Sequence, residues 1–307
     1  MPLFDLPLVN RLANKRLQLR HGPIDLIIEA FGSPYDVEAA YQQAVYSFST
    51  VLKTLAGELS ELRKPSGSHI HVFQGKIANV MDKVAREFST DHFVTPMIAV
   101  AGAVADHVLH SLILDRVLSK AYVNNGGDIA IYLSEDQSFN VGVCAKPHDG
   151  VIVSKANILS DSGIHGIATS GWRGRSHSLG IADSVTVLAC NAAVADAAAT
   201  LIANAVDLPN HPMIKRTTAT QLNPDSDLGD RMVTVDVGAL TLAETQSALD
   251  SGKKLAHQMI DSNQIIGVYG RLNSEMFSLH PSLPSKKTCE WPRKPQFDNV
   301  EKEQALA

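Results

Sequence analysis

Basic charge is in short supply in this 307-residue chain: 27 Lys and Arg stand against 32 Asp and Glu, for a net charge of −5 at pH 7. General nucleic-acid binding rests on a basic surface that neutralises phosphates, so nucleic acid is not an expected partner. A small phosphate ligand, which needs only local donors, is still compatible. Cysteine is scarce too. Cys144, Cys190 and Cys289 lie far apart, make no CxxC and form an odd set, which suggests neither a disulfide framework nor a zinc site. Aromatics make up 6% of the chain, so the core must come mainly from Ala, Val, Leu and Ile. The longest apolar run, Phe93 to Ala105, contains Thr95 and Pro96 and is shorter than a bilayer span, so no membrane is expected. The N-terminal stretch lacks the basic start, apolar run and small-residue cleavage site of a secretory signal, which makes the cytoplasm the expected location. No GxxxxGK[ST] phosphate loop occurs, Ala101 to Asp106 is not a GxGxxG fingerprint, and Ser170 is not in a GxSxG elbow.

What is present is ordinary globular material, 45% hydrophobic and 19% charged, in a chain long enough for one large domain or two closely fused ones. Leu17 to Phe31 reads as a hairpin turning at His21-Gly-Pro. Apolar residues at three- and four-residue spacing predict helices over Pro34–Leu62, Lys76–Phe88 and Pro96–Leu114. From Lys120 the period changes. Strands are expected in AYVNNGGDIAIYL, in SFNVGVCA, and over Gly150–Ala156, Ile167–Gly171, Ser184–Ala189, Met232–Val237 and Gln264–Leu272. Ala192–Val206 reads as a helix, and so does Leu242–Asp261, which opens on a Thr241–Glu244 capping box. Helices and strands do not alternate strictly, which favours an α+β fold over a doubly wound sheet. Residues 17–115 and 116–272 are the two expected lobes of one domain over 1–279. The Pro- and Lys-rich stretch 280–307 is read as a tail.

Chemistry concentrates in GIATSGWRGRSHSLGIADSVTV (166–187) and the alanine-rich helix after it. Asp196 and Thr200 share a helix face, and a carboxylate with a hydroxyl suits Mg²⁺, which takes few protein ligands. The plain alternative is a solvated Asp and a Thr bonded back to a carbonyl. Seven alanines around Asp196 argue for burial, and a buried Asp needs a partner. Asn124-Asn125-Gly126-Gly127-Asp128 can let a ligand approach main-chain N–H groups, or it can be a plain hairpin turn. Thr169, Ser170, Arg173, Arg175 and Ser176 can hold phosphate oxygens, or form an exposed loop. His177 lies inside this segment. His69-Ile-His71 and His107-x-x-His110 have metal-ligand spacing without an obvious carboxylate or Cys set beside them. Asp225 to Asp230 lacks the spacing and terminal Glu of a calcium loop and reads as a capped turn.

Taken together, AVAGAVAD (99–106), VNNGGDIA (123–130), IATSGW (167–172), SVTVLA (184–189) and AVADAAATLIANAV (193–206) resemble the ApbE superfamily of FAD:protein FMN transferases, most of all its uncharacterised cytoplasmic branch. The resemblance runs in order over residues 17–272. It implies a two-lobed α+β architecture of T-fold-like units, with FAD in the cleft and a divalent cation, usually Mg²⁺, on the FAD diphosphate. The family's A-D-x-x-A-T metal ligands match Asp196 and Thr200. Its N-x-G-G-D turn matches Asn124 or Asn125, Gly126, Gly127 and Asp128. Its A-T-S-G strand end matches Ala168, Thr169, Ser170 and Gly171, and its helix Asp loosely matches Asp106. The chain departs from the family at His177 to Asp183, which stands where HxxDPxTG is usual.

The implied activity is Mg²⁺-dependent transfer of FMN from FAD to a Thr or Ser of a partner protein, with release of AMP. Arg173 or Arg175 would stabilise phosphate charge, and His177 or Asp183 would accept the hydroxyl proton. The alternatives are a flavin-binding protein or flavoenzyme subunit without transfer, and a metal-dependent FAD hydrolase. The expected partners are a flavin nucleotide and an acceptor protein. A homodimer is compatible with this reading.

Overall fold

The computed structural model describes residues 6–67, 70–144 and 152–280. His69, the strand start at Gly150 and the stretch from residue 281 onward lie outside the described residues. In chain order the elements are β1 (Leu8–Arg11), β2 (Leu17–His21), β3 (Ile24–Gly32), α1 (Pro34–Phe48), α2 (Val51–Gly57), α3 (Leu59–Leu62), α4 (Lys76–Phe88) and α5 (Val100–Ile113), followed by β4 (Leu118–Asn125), β5 (Asp128–Leu133), β6 (Ser138–Cys144) and β7 (Ile152–Leu159). Then come β8 (Gly166–Ser170), β9 (Ser184–Ala189), α6 (Ala192–Ala205), β10 (Ile214–Thr218), α7 (Ala219–Leu222), β11 (Met232–Val237), α8 (Leu242–Asp261), β12 (Gly267–Leu272) and β13 (Glu275–Leu279).

Nine strands form one antiparallel sheet in the order β1-β2-β3-β4-β5-β8-β9-β12-β13. Two successive units share a pattern: β2-β3, helices, β4-β5, then β8-β9, helices, β12-β13. The fold is α+β, and the units meet edge to edge where Ile129 faces Ile167 and Ala130 faces Gly166. β3 and β4 lie on either side of residue 116 and are paired along their length. Helices cover one face. Leu17, Leu19, Leu26, Ile28, Ala121 and Val123 alternate inward from the first unit, and Val185 and Val187 from the second, into one continuous core. On the other face the β6–β7 hairpin covers Ile131, Leu133 and Ile167, a cluster to which Ile158 of β7 contributes its side chain.

The expected helix over 34–62 is three helices, broken at Ser49-Thr50 and at Glu58, where ψ rises to −27°, −9° and 6° and the regular ladder is interrupted. The strand expected over Gln264–Leu272 starts at Gly267, because Gln264 and Ile265 donate to the Met259 carbonyl and close α8, and a further strand, β13, follows it. Pro96–Ile113 is 18 residues long with mean hydropathy 1.4, apolar enough by composition to cross a membrane. In this fold it is the helix pressed between α6 and the sheet, with Gly102, Ala103, Val104, Ala105, Val108, Leu109 and Leu112 buried in the protein.

Candidate functional site

Small residues let α5 and α6 pack almost backbone to backbone. A Cβ on Gly102 would stand within 2.7 Å of Ala193 Cα, so only glycine fits there. At this distance the helices exchange caps. Asp106 of α5 accepts hydrogen bonds from the Ala192 and Ala193 amides (3.0 and 2.9 Å), the first two of α6. Asp196 of α6 accepts from the Gly102 amide (3.0 Å) in the first turn of α5. Asn191 completes the α6 terminus by accepting from the Val194 amide. The partner required by an Asp among alanines is therefore the amide end of the neighbouring helix. Asp106, expected at the ligand, spends both oxygens on α6.

The NNGGD segment is a two-residue hairpin turn. Gly126 and Gly127 both have positive φ (69° and 119°), which a tight antiparallel turn requires. Asn124 accepts from the Gly127 amide (2.9 Å), and Asn125 donates to the Ala101 carbonyl (3.0 Å), tying the turn to the start of α5. Asp128 then leaves the turn on the helix side, beside Ala130, which is in the main core. The Thr169 amide donates to it, and the Arg175 guanidinium is close enough to favour its charge. Arg175 Cζ would lie 3.0 Å from a Cβ on Gly126, so the arginine covers the turn and glycine gives it room.

Alternation along β8 sends Ser170 to the helix face and Thr169 to the other. The Thr200 hydroxyl donates to Ser170 Oγ at 3.4 Å, whereas Thr169 Oγ1 pairs with Thr186 Oγ1 at 2.8 Å. Thr169 thus serves the site through its amide. Asp128, Asp196, Ser170 and Thr200 converge between α5, α6 and the end of β8, and each keeps some solvent-accessible surface. Protein surrounds the carboxylates closely enough that desolvation dominates. It pushes Asp128 up to about 7 against the Thr169 amide and Arg175. Asp196 is raised well above the usual carboxylate range by desolvation and then by the Asp128 charge, against the Gly102 and Ala101 amides.

The loop from Gly171 to Asp183 places its other expected site residues differently. Arg173 Nε donates to Asp183 Oδ1 (2.8 Å) and its guanidinium lies 4.2 Å from the Trp172 ring centroid. Asp183 Oδ2 accepts from the Asn273 amide (2.7 Å). Gly171 packs against the Asp183 carbonyl, 2.5 Å from where a Cβ would be. His177 is half-buried next to Ser178, whose hydroxyl donates to Asn204 at the far end of α6. Eight residues separate Asn204 from Asp196, about 12 Å of helix. The structure thus gathers Asp128, Asp196, Ser170, Thr200 and Arg175 and leaves His177, Arg173 and Asp183 outside that group. Among the described residues, no group of three or more His, Cys, Asp and Glu is arranged to hold a metal ion. The two neighbouring carboxylates and two hydroxyls nevertheless form an all-oxygen donor set of the kind Mg²⁺ accepts, and a dication there would relieve the mutual repulsion of the acids.

The family model described as AbpE bacteria matches residues 9–277. The chain belongs to that family. A UPF0280 protein of Methanococcus vannielii is 42% identical over 137 residues, 43% of this chain and 54% of its own length. A UPF0280 protein of Methanothrix thermoacetophila is 38% identical over 37% of this chain and 46% of its own. This AbpE-family chain thus spans about half the length of the curated relatives it matches. Among solved structures it is similar to the apo flavinyl transferase ApbE of Pseudomonas stutzeri, at 12% identity and TM-score 0.46 over 91% of this chain and 96% of that one. It is also similar to the flavin transferase ApbE of Vibrio cholerae, at 13% identity and TM-score 0.41 over 90% and 98%.

Proposed function

We propose that this AbpE-family protein binds FAD and transfers its FMN moiety to a Thr or Ser hydroxyl of a partner protein, with release of AMP. The observation that carries this reading is the meeting of Asp128 and Asp196 with the hydroxyls of Ser170 and Thr200, beside Arg175. In the proposed reaction the acceptor oxygen forms a bond to the FMN phosphorus. The bond from that phosphorus to the bridging oxygen breaks, AMP leaves with that oxygen, and the hydroxyl proton is released to solvent. Asp128, Asp196, Ser170 and Thr200 would hold a divalent cation, which supplies charge neutralisation for the diphosphate. Arg175 adds a fixed donor fork on the same side. Family membership and the likeness of the motifs support the flavin assignment.

The test uses the full chain with FAD, Mg²⁺ and candidate acceptor proteins, reading AMP by chromatography and flavin on protein by mass. Asp196→Asn keeps an acceptor for the Gly102 amide while removing the charge. It is expected to lower transfer by about 10²-fold or more and to abolish the Mg²⁺ dependence of FAD affinity. Unchanged transfer in that variant overturns the cation site. A second reading, flavin binding without transfer, is favoured by the departure of residues 177–183 from the family pattern. Bound flavin with no AMP in the presence of acceptors selects it, and AMP without protein-bound flavin selects hydrolysis.

A further inference from the structure

The Gly171–Asp183 loop holds two arginines with opposite situations. Arg173 is committed: Asp183 takes its Nε and Trp172 underlies its guanidinium. Arg175 stands two residues further on, over Gly126 and next to Asp128. What separates them is the stem. The Trp172 amide donates to the Ala182 carbonyl (3.0 Å), the Gly174 amide to the Gly171 carbonyl (3.0 Å), and the Asp183 amide to the Arg271 carbonyl (2.9 Å). Asp183 is the hub, joining the loop's start through Arg173 and the β12–β13 turn through the Asn273 amide. Its side chain is 12% exposed and each of its oxygens accepts from a donor of the loop stem or the β12–β13 turn, which commits the carboxylate to that frame. It also precedes β9, two strands across the sheet from β5, roughly 10 Å from the strand that carries Asp128.

We infer that Asp183 is a positioning residue: by clamping Arg173 and the Asn273 amide it fixes the loop stem and so delivers Arg175 to the Gly126–Asp128 turn, where Arg175 meets the anionic part of the ligand. This inference rests on the proposed flavin-nucleotide site for the ligand, but the clamp itself does not. The loop's register makes the argument geometric. A stem closed by Arg173–Asp183 leaves Gly174 as the bend, and the next side chain, Arg175, turns back over the β4–β5 turn. With the stem open, the attraction of Asp128 is left to draw Arg175 to the turn, without a fixed loop to place it.

The experiment compares the full-length protein with Asp183→Asn, Arg173→Lys, Arg175→Ala and the double variant Asp183→Asn/Arg175→Ala, each first checked for folding by thermal melt. Two readouts are independent of activity: the rate of tryptic cleavage after Arg175 and hydrogen exchange of residues 172–177. Asp183→Asn is expected to raise both by about tenfold or more, whereas Arg173→Lys, which keeps a donor for Asp183, raises them less. In FAD titrations Asp183→Asn and Arg175→Ala are expected to weaken affinity by similar factors, and the double variant no further, because both remove the same contact. With turnover measured, Asp183→Asn should raise KM more than it lowers kcat. Unchanged loop protection in Asp183→Asn overturns the clamp, as does additive loss in the double variant. A collapse of kcat with intact loop protection and FAD affinity instead makes Asp183 the reacting base and also overturns it. If the wild-type protein binds no FAD, the flavin reading fails while the cleavage and exchange rates still decide the clamp.

Discussion

Asp106 and Asp196 show how one residue type does different work a few ångströms apart. Asp106 gives two hydrogen bonds' worth of acceptor to the amides that open α6, where the helix dipole also favours its charge. Asp106→Ala leaves those amides without acceptors and should cost about 1–3 kcal/mol in urea unfolding. Desolvation outweighs the two amides and raises Asp106 from 3.8 to about 7. The sign follows from proton uptake. Between pH 3.8 and about 7 the folded protein holds a proton that the unfolded chain releases, so this contribution is full below 3.8 and fades as pH rises through 7. The stability difference between wild type and Asp106→Asn should therefore shrink from pH 5 to pH 8. A difference that grows over that range contradicts the raised value. The need of Asp196 for a partner was legible in its alanine surroundings. Which partner was not, because the Gly102 amide is 94 residues away in sequence and only the tertiary fold brings it near.

Element boundaries were readable where local chemistry marks them. α4, β9, β11 and α8 fall where periodicity places them, and α8 opens on the Thr241–Glu244 capping box, with both reciprocal bonds formed. β1, β10 and β13 had no such mark. They are four or five residues long, β1 and β13 are the sheet's edges, and β10 carries Lys215 and Arg216 in a small separate hairpin. A short, half-exposed strand is stabilised by its partner and not by its own pattern. The smooth run AVAGAVAD announced close packing, and its neighbour turned out to be α6. That contact is testable. Gly102→Ala gains up to about 1 kcal/mol of helix propensity, but its methyl falls inside the contact shell of Ala192 and Ala193, at overpacking costs of about 1–3 kcal/mol. The expected net result is a lower melting temperature and faster hydrogen exchange at the α6 N-terminus. A higher melting temperature would show that the helices separate freely.

Across the whole molecule, the repeated strand–helix–strand pattern raises the question whether two units fold independently. Among the described residues the sheet joins them through two facing residue pairs, Ile129 with Ile167 and Ala130 with Gly166, and a further bond from the Ile131 amide to the His165 carbonyl. The seam in the sheet alone is thus too short to couple them strongly. The helix layer is different. α5 belongs to the first unit and α6 to the second, and they exchange their terminal caps and share one continuous core that runs from Leu17 to Phe277. Opening one unit would strand Asp106 or Asp196 against unpaired amides of the other, which penalises partial unfolding. The protein should therefore unfold as one cooperative body. Leu26→Ala, a fully buried change in β3, should destabilise by about 2–5 kcal/mol. Native-state hydrogen exchange should report the same loss at β12 amides as at β3 amides. If β12 keeps its protection while β3 loses it, the two units are separate folding bodies, and the site between α5 and α6 is an interface that can open without global unfolding.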